Sequence, residues 1–199
     1  MIVRQEVSED LKTASIYANG NVDGVSADSK ILLELIDPEG KKVLETQAIV
    51  SEDGKFSTTL TLAKDLQLWY PFTYGQSPLY TIQAILPGHD EKIQKLGLRR
   101  LRLLQHTLKK EPGTSFIFEI NNIRVFSGGS CWIPGDYMLP RFTRDRYEEW
   151  ILLAKAGNQA MVCEILHLRG ASSAHHKYGT IKKLILVTDS SLGWWDCRK

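Results

Sequence analysis

Residues 115–158, SFIFEINNIRVFSGGSCWIPGDYMLPRFTRDRYEEWILLAKAGN, change hydrophobic period midway, and that change decides the fold. Phe116, Phe118 and Ile120 alternate with Ile117 and Glu119, the period of a strand. Asn121-Asn122 suits a tight turn because Asn tolerates positive φ, and Ile123 to Phe126 returns as the second arm of a hairpin. Gly128-Gly129 breaks that arm. After an irregular Trp-Pro-Asp segment, Thr143 can N-cap a helix whose Tyr147, Trp150, Ile151 and Ala154 fall at i, i+3, i+4 and i+7. Asp145 suits the positive end of that helix, and Gly157-Asn158 should end it as a left-handed cap. Glu148 and Glu149 sit about 100° apart on such a helix, so they read as a solvated face rather than a catalytic pair.

Upstream, residues 1–107 read as a β-sandwich. Ser29 to Ile36 is a β-rich run closed by the turn Asp37-Pro38-Glu39-Gly40. Lys42 to Val50 is a second run, and Asp53-Gly54 suits the positive φ of a hairpin turn. Phe56, Thr58, Leu60 and Leu62 alternate with Ser57, Thr59 and Thr61, while Ala14, Ile16 and Ala18 alternate up to Asn19-Gly20. Leu79 to Leu86 and Ile93 to Leu104 complete six or seven short strands, the pattern of a sandwich.

Between the strands, Leu68 to Tyr80 (LWYPFTYGQSPLY) is too rich in Pro, Gly and aromatics for an ordinary strand. It reads either as an aromatic corner over the sandwich edge or as a platform for stacking sugars. The corner is favoured, because no acid, amide or basic fork accompanies the rings. Arg100 and Arg102 share a face if residues 93–104 are one strand, and without interleaved aromatics they read as solvated rather than as a nucleic-acid surface.

The 199 residues are 43% hydrophobic and 24% charged with a net charge of +2, which implies no field for nucleic acid or membrane. No run approaches the roughly 20 apolar residues of a membrane span. Arg4, Glu6, Glu9 and Asp10 follow Met1 where a signal peptide would need an apolar core. Cys131, Cys163 and Cys197 are too widely spaced for a CxxC motif or a disulfide framework. With no Asn-x-Ser/Thr acceptor, these features favour a cytoplasmic location. No metal or other cofactor is implied: His167, His175 and His176 with Cys163 lack zinc-knuckle spacing and read as solvated.

Three segments, LWYPFTYGQSPLY, the Lys95-Leu96-Gly97-Leu98-Arg99 step and the stretch 115–158, together resemble the exo-acting β-mannosidases of glycoside hydrolase family 2, most nearly the fungal β-mannosidase B type. The resemblance covers residues 68–162 and extends over 1–67. It implies an immunoglobulin-like sandwich at 1–107, the opening hairpin, first strand and first helix of a (β/α)8 barrel at 108–162, and a divergent tail at 163–199. The fold class is thus mainly β, a sandwich followed by an incomplete barrel start. The family's Gly-Ala-Asn-Trp-Ile-Pro is here Gly129-Ser130-Cys131-Trp132-Ile133-Pro134, and its second-strand Arg-Val-Trp-Gly-Gly is missing after Met161-Val162. The tail is expected to be a different reading of the gene, joined at about Val162.

A retaining glycosidase needs two carboxyls about 5–5.5 Å apart. The resemblance puts them on later barrel strands, the acid/base in an Asn-Glu pair, and this chain contains no such pair. No catalytic residue is therefore assigned. Trp132 and Asp136 match the family's strand-end segment and are the candidate substrate-binding residues, bordering the sugar pocket of a complete enzyme; a packed Trp with Asp136 in local turn bonds is the plainer alternative. The expectation is a β-mannosidase stretch whose full-length relative takes β-mannosides or manno-oligosaccharides, inactive alone. A non-catalytic carbohydrate-binding or protein-interaction sandwich is the alternative.

Overall fold

Alternation builds the first half of the chain strand by strand. The computed structural model describes residues 1–164, 183–186 and 193–196, apart from 25, 27, 133–135, 137, 139, 140 and 142. Seven strands come first: β1 (Ile2–Val7), β2 (Ala14–Asn21), β3 (Lys30–Ile36), β4 (Lys42–Ile49), β5 (Lys55–Leu62), β6 (Tyr80–Leu86) and β7 (Asp90–Leu96). They form two antiparallel sheets of order β1-β2-β5 and β4-β3-β6-β7. The chain changes sheet after β2, β4 and β5, as a Greek-key sandwich requires. The inward residues of both sheets, among them Ile16, Leu60, Leu33, Leu35 and Ile82, make one buried cluster. Outward positions mix polar residues with exposed apolar ones such as Ile2, Ile49 and Ile93, while β2, β3, β5 and β6 alternate between buried and more exposed positions.

The turns follow their residues. Gly40 takes φ +88° and donates to the Asp37 carbonyl at 3.1 Å, while the Asp37 carboxylate accepts the Lys41 N–H at 2.8 Å. In Asp53-Gly54 only Gly54 has positive φ (+72°), and any side chain there would meet the Val22 carbonyl oxygen at 2.6 Å. Tyr80 opens β6 as the tyrosine corner of immunoglobulin-like sandwiches does: its hydroxyl accepts the Gln67 N–H at 3.0 Å and donates to the Asp65 carbonyl at 3.4 Å. Burial raises that phenol above its usual range.

Two strand boundaries differ from expectation. β2 runs past Asn19-Gly20 to Asn21 because Gly20 lies opposite Phe56, whose ring fills the space of the missing side chain; a Cβ would stand 2.8 Å from its Cε1. The run Ile93 to Leu104 is two strands, not one. β7 ends at Leu96, and β8 (Leu101–Leu104) joins a separate sheet of order β10-β9-β8 with β9 (Ile117–Ile120) and β10 (Ile123–Val125). The break is at Gly97, where a Cβ would lie 2.5 Å from Trp69 Cδ1. Arg100 consequently falls outside any strand and does not share a strand face with Arg102, although both point at Glu119, at 3.9 and 3.6 Å.

The hairpin turn is as expected, with Asn121 at φ +50° and Asn122 at +64°, the pair of positive angles of a type I′ turn. Asn121 is also a fastener. At 2% exposure, its Oδ1 accepts the Arg100 N–H at 2.8 Å and its Nδ2 donates to the Trp69 carbonyl at 3.0 Å. The N-terminal strand is clasped in the same region. The Gln5 side-chain amide donates to the Arg99 carbonyl at 2.8 Å and accepts the Arg99 N–H at 3.3 Å, and Asn122 Nδ2 donates to the Glu9 carbonyl at 2.9 Å.

Met1–Trp69 with Pro78–Arg124 make one unit; Tyr70–Ser77 and the described residues from Val125 on make a second. In the second, β11 (Gly129–Trp132) and β12 (Met161–Glu164) are parallel and joined through α1 (Arg144–Ala156). β13 (Lys183–Leu186) and β14 (Gly193–Asp196) extend the sheet antiparallel, in order β11-β12-β13-β14. The tail therefore contributes the two strands β13 and β14.

Helix α1 starts after Thr143, whose carbonyl accepts the Tyr147 N–H at 3.2 Å, but the Thr143 hydroxyl makes no capping bond. At the other end the left-handed residue is Asn158 (φ +54°), not Gly157 (φ −79°). The Asn158 N–H donates to the Lys155 carbonyl and the Gln159 N–H to the Ala154 carbonyl, the bond pair of a Schellman motif. Tyr147, Ile151 and Ala154 pack with Phe72 around Val162. Trp150, expected in that stripe, is instead 39% exposed, and Leu153 is 71% exposed. Trp150 lies one step, about 100°, round the helix from Ile151. It stands about 40° from Ala154, at the edge of the stripe that packs on Val162. The fold is mainly β: an immunoglobulin-like sandwich followed by the strand, helix and strand with which a (β/α) barrel begins.

Candidate functional site

In β/α units the chemistry gathers at the C-terminal ends of the strands, where the loops toward the helices are free to vary. Here that end is Trp132, the last residue of β11, in register with Glu164, the last of β12. Asp136 stands four positions beyond Trp132 in the loop leading to α1. Its Oδ1 accepts the Met138 N–H at 2.8 Å, and its Oδ2 lies 3.7 Å from Arg141 Nε. The Arg141 N–H donates to the Met138 carbonyl at 2.9 Å, which closes the turn.

The two candidate residues thus stand on one strand end and on the loop that leaves it. The Asp136 side chain is 22% exposed and that of Arg141 is 71% exposed. An ionised carboxylate offers about four lone-pair directions, so these local bonds leave capacity to accept from a hydroxyl. Arg141 and Glu164 were not singled out in the sequence. Opposite charges flanking a Pro-containing loop were a usable signal for Arg141; for Glu164 there was none, since it depends on the parallel register.

The strand itself is held tightly. Gly129 faces Met161, and any Cβ there would overlap the Met161 carbonyl oxygen at 1.6 Å. The Gly128 carbonyl accepts N–H groups from Ala160 at 3.0 Å and Met161 at 3.2 Å, and the Ser130 hydroxyl donates to Gln159 Oε1 at 2.8 Å. Glycine at 129 is therefore a condition of parallel pairing.

The aromatic corner is mostly turned inward. Trp69 is fully buried and Tyr80 is 1% exposed, so neither ring offers a face to a sugar. A basic group does accompany the rings: the Arg99 guanidinium lies 4.6 Å from the Trp69 ring centroid and donates to the Gly97 carbonyl at 3.2 Å. Burial lowers that guanidinium to about 10, still protonated at neutral pH. In the second unit, the Tyr74 hydroxyl accepts the Phe126 N–H at 2.7 Å, and Lys155 Nζ lies 5.2 Å over the Phe72 ring.

Glu148 and Glu149 are both exposed on α1. Among the described residues no three His, Cys, Asp or Glu side chains are grouped to hold a metal; His167, His175 and His176 lie outside the described residues. Among the described residues no helix is long and apolar enough to cross a membrane.

Comparison with known proteins gives a consistent picture. The family model for glycosyl hydrolases family 2 matches residues 1–99. Beta-mannosidase B of Thermothelomyces thermophilus is 38% identical over 164 residues, covering 78% of this chain and 18% of that protein. Beta-mannosidase B of Aspergillus clavatus is 33% identical over 161 residues, covering 79% and 19%. The chain therefore spans about a fifth of the length of these curated relatives. Among solved structures, the beta-D-mannosidase of Dictyoglomus thermophilum superposes with a TM-score of 0.63 at 28% identity, over 80% of this chain and 20% of that one. Beta-glucuronidase 3 of Bacteroides uniformis gives 0.61 at 20% identity over 81% and 19%, a likeness of fold.

Proposed function

Since the chain belongs to glycoside hydrolase family 2, we propose that it is the sandwich and barrel-opening portion of an exo-β-mannosidase, the enzyme class that removes terminal non-reducing β-D-mannose from β-mannosides. The observation that carries this is the 32–38% identity to β-mannosidases B over nearly four fifths of the chain. In this reading residues 1–107 are the immunoglobulin-like domain, 108–162 open the catalytic barrel, and 163–199 are a divergent tail.

The chemistry divides accordingly. Retaining hydrolysis needs one carboxyl held protonated to release the leaving oxygen and a second, ionised, to attack the anomeric carbon. In our reading those groups belong to later barrel strands, and residues 1–199 do not hydrolyse a glycoside alone. Trp132 and Asp136 take a binding role at the border of the pocket, and the Asp136 carboxylate accepts from a sugar hydroxyl while Met138 and Arg141 hold it in place.

The test is a chimera in which residues 1–162 replace the matching segment of a β-mannosidase B. It should hydrolyse a chromogenic β-mannoside, while the isolated chain should not. Asp136→Ala in the chimera should lower kcat/KM roughly ten- to a hundredfold, the worth of a charge-assisted hydrogen bond. Turnover by the isolated chain, or a soluble, folded chimera without activity, would overturn the reading; an undiminished Asp136→Ala chimera would remove Asp136 from the pocket.

A further inference from the structure

The wide spacing of the cysteines argues against any pairing, yet the parallel crossover undoes that argument. β11 and β12 are registered so that Cys131 stands opposite Cys163, with α1 taking up the residues between them. We propose that Cys131 and Cys163 form a redox-modifiable dithiol, which closes into a disulfide by exchange with a small-molecule disulfide of the glutathione class.

Three observations support this. Neighbouring strands lie about 4.7–4.9 Å apart, inside the roughly 4.4–6.8 Å between Cα atoms that a disulfide spans. The register is fixed just before this point, by Gly129 against Met161 and by the Gly128 carbonyl bonded to the Ala160 and Met161 N–H groups. Cys131 is exposed, so a dissolved disulfide can reach its thiol.

The exchange balances without any further reagent. The Cys131 thiolate attacks one sulfur of the small disulfide, whose S–S bond breaks to release one thiol, and a mixed disulfide forms. The Cys163 thiolate then attacks the Cys131 sulfur and expels the second thiol. Two cysteine sulfurs are oxidised by two electrons in all, and one small disulfide is reduced to two thiols, which take up the two cysteine protons.

The experiment is exchange of the full chain with oxidised glutathione in native buffer and in concentrated urea, followed by non-reducing peptide mapping by mass spectrometry. Cys197 supplies the control. The separation of 32 residues between Cys131 and Cys163 is nearly that of 34 between Cys163 and Cys197. Loop closure alone therefore favours the first pairing by only about 1.1-fold. In native buffer the chain should lose two hydrogens with the 131–163 linkage dominant, and in urea the two linkages should approach equality. Cys197→Ser should still close the bond, whereas Cys131→Ser and Cys163→Ser should give no 131–163 peptide. A native ratio no different from that in urea, a stable mixed disulfide at Cys131 in Cys197→Ser, or only chain-to-chain disulfides would overturn the proposal.

Discussion

Replacing Asn121 tests whether the hairpin turn is a turn or a fastener. If it is only a turn, any residue content with positive φ will serve there. The geometry says otherwise: Asn121 is 2% exposed, and its side-chain amide joins the Arg100 N–H to the Trp69 carbonyl. Asn121→Ala strands one buried donor and one buried acceptor at about 1–2 kcal/mol each, and it leaves an alanine at φ +50° at a further cost of about 1 kcal/mol, so the expected loss is about 3–5 kcal/mol. Asn121→Gly removes the φ term and keeps the two stranded groups, for about 2–4 kcal/mol. Asn121→Asp keeps the acceptor toward Arg100 but sets a carboxylate against the Trp69 carbonyl, and should be no more stable than the alanine variant. Urea unfolding followed by far-UV circular dichroism measures the series, with an unchanged m-value expected. Asn121→Ala within about 0.5 kcal/mol of the parent, the range of an ordinary surface change, would refute the fastener. Equal losses for glycine and alanine would refute the part assigned to φ.

Three further outcomes follow from the same structure. Gly97→Ala puts a Cβ 2.5 Å from the ring of a fully buried Trp69, and should cost about 1–3 kcal/mol in the same urea experiment, whereas a neutral result would mean that the ring is free to move. Asn158→Gly should leave the helix end unchanged or slightly steadier, while Asn158→Ala at φ +54° should cost about 1 kcal/mol by thermal melting; equal melting temperatures would contradict the Schellman assignment. Hydrogen bonds from Lys55 and Ser51 lower the Asp53 carboxyl from 3.8 to about 2, so the stabilisation it gives is complete above about pH 5 and is lost as pH falls through about 2. A carboxyl-carbon NMR titration of Asp53 with its midpoint near 3.8 would show that the pair does not form in solution.

The sandwich was legible because its signals are local. Alternation marks which face each strand buries, and Gly40, Gly54 and the Asn121-Asn122 pair mark where strands reverse. The misreadings are glycines and asparagines whose roles are set by distant residues. Gly20 looks like a turn and is room for Phe56; Gly97 looks like one residue of a strand and is room for Trp69. Asn121 looks like a turn residue and is also a link between two distant backbones. Trp150 belongs to the apolar stripe by period and yet is 39% exposed, because periodicity does not encode how much of a helix face is covered. Trp132 and Asp136 were found through a matched segment, not through chemistry. Their neighbours, Arg141 and Glu164, come from loop geometry and from a register that no local pattern announces.

The Gln5 clasp also bears on how the chain matures. Gln5 is made well before its partner Arg99, which is 94 positions later, and the Asn122–Glu9 bond spans 113. At about 5–20 residues per second, synthesis alone separates Glu9 from its partner by roughly 6–23 s. During that interval β1 has β2 beside it and nothing to lock its far end. The newborn chain therefore carries a half-secured edge strand, and the non-local closure that ends this state is the slow kind of folding step. A chaperone that captures unpaired strands would have its opening in that interval and would lose it once the hairpin at Asn121-Asn122 has turned.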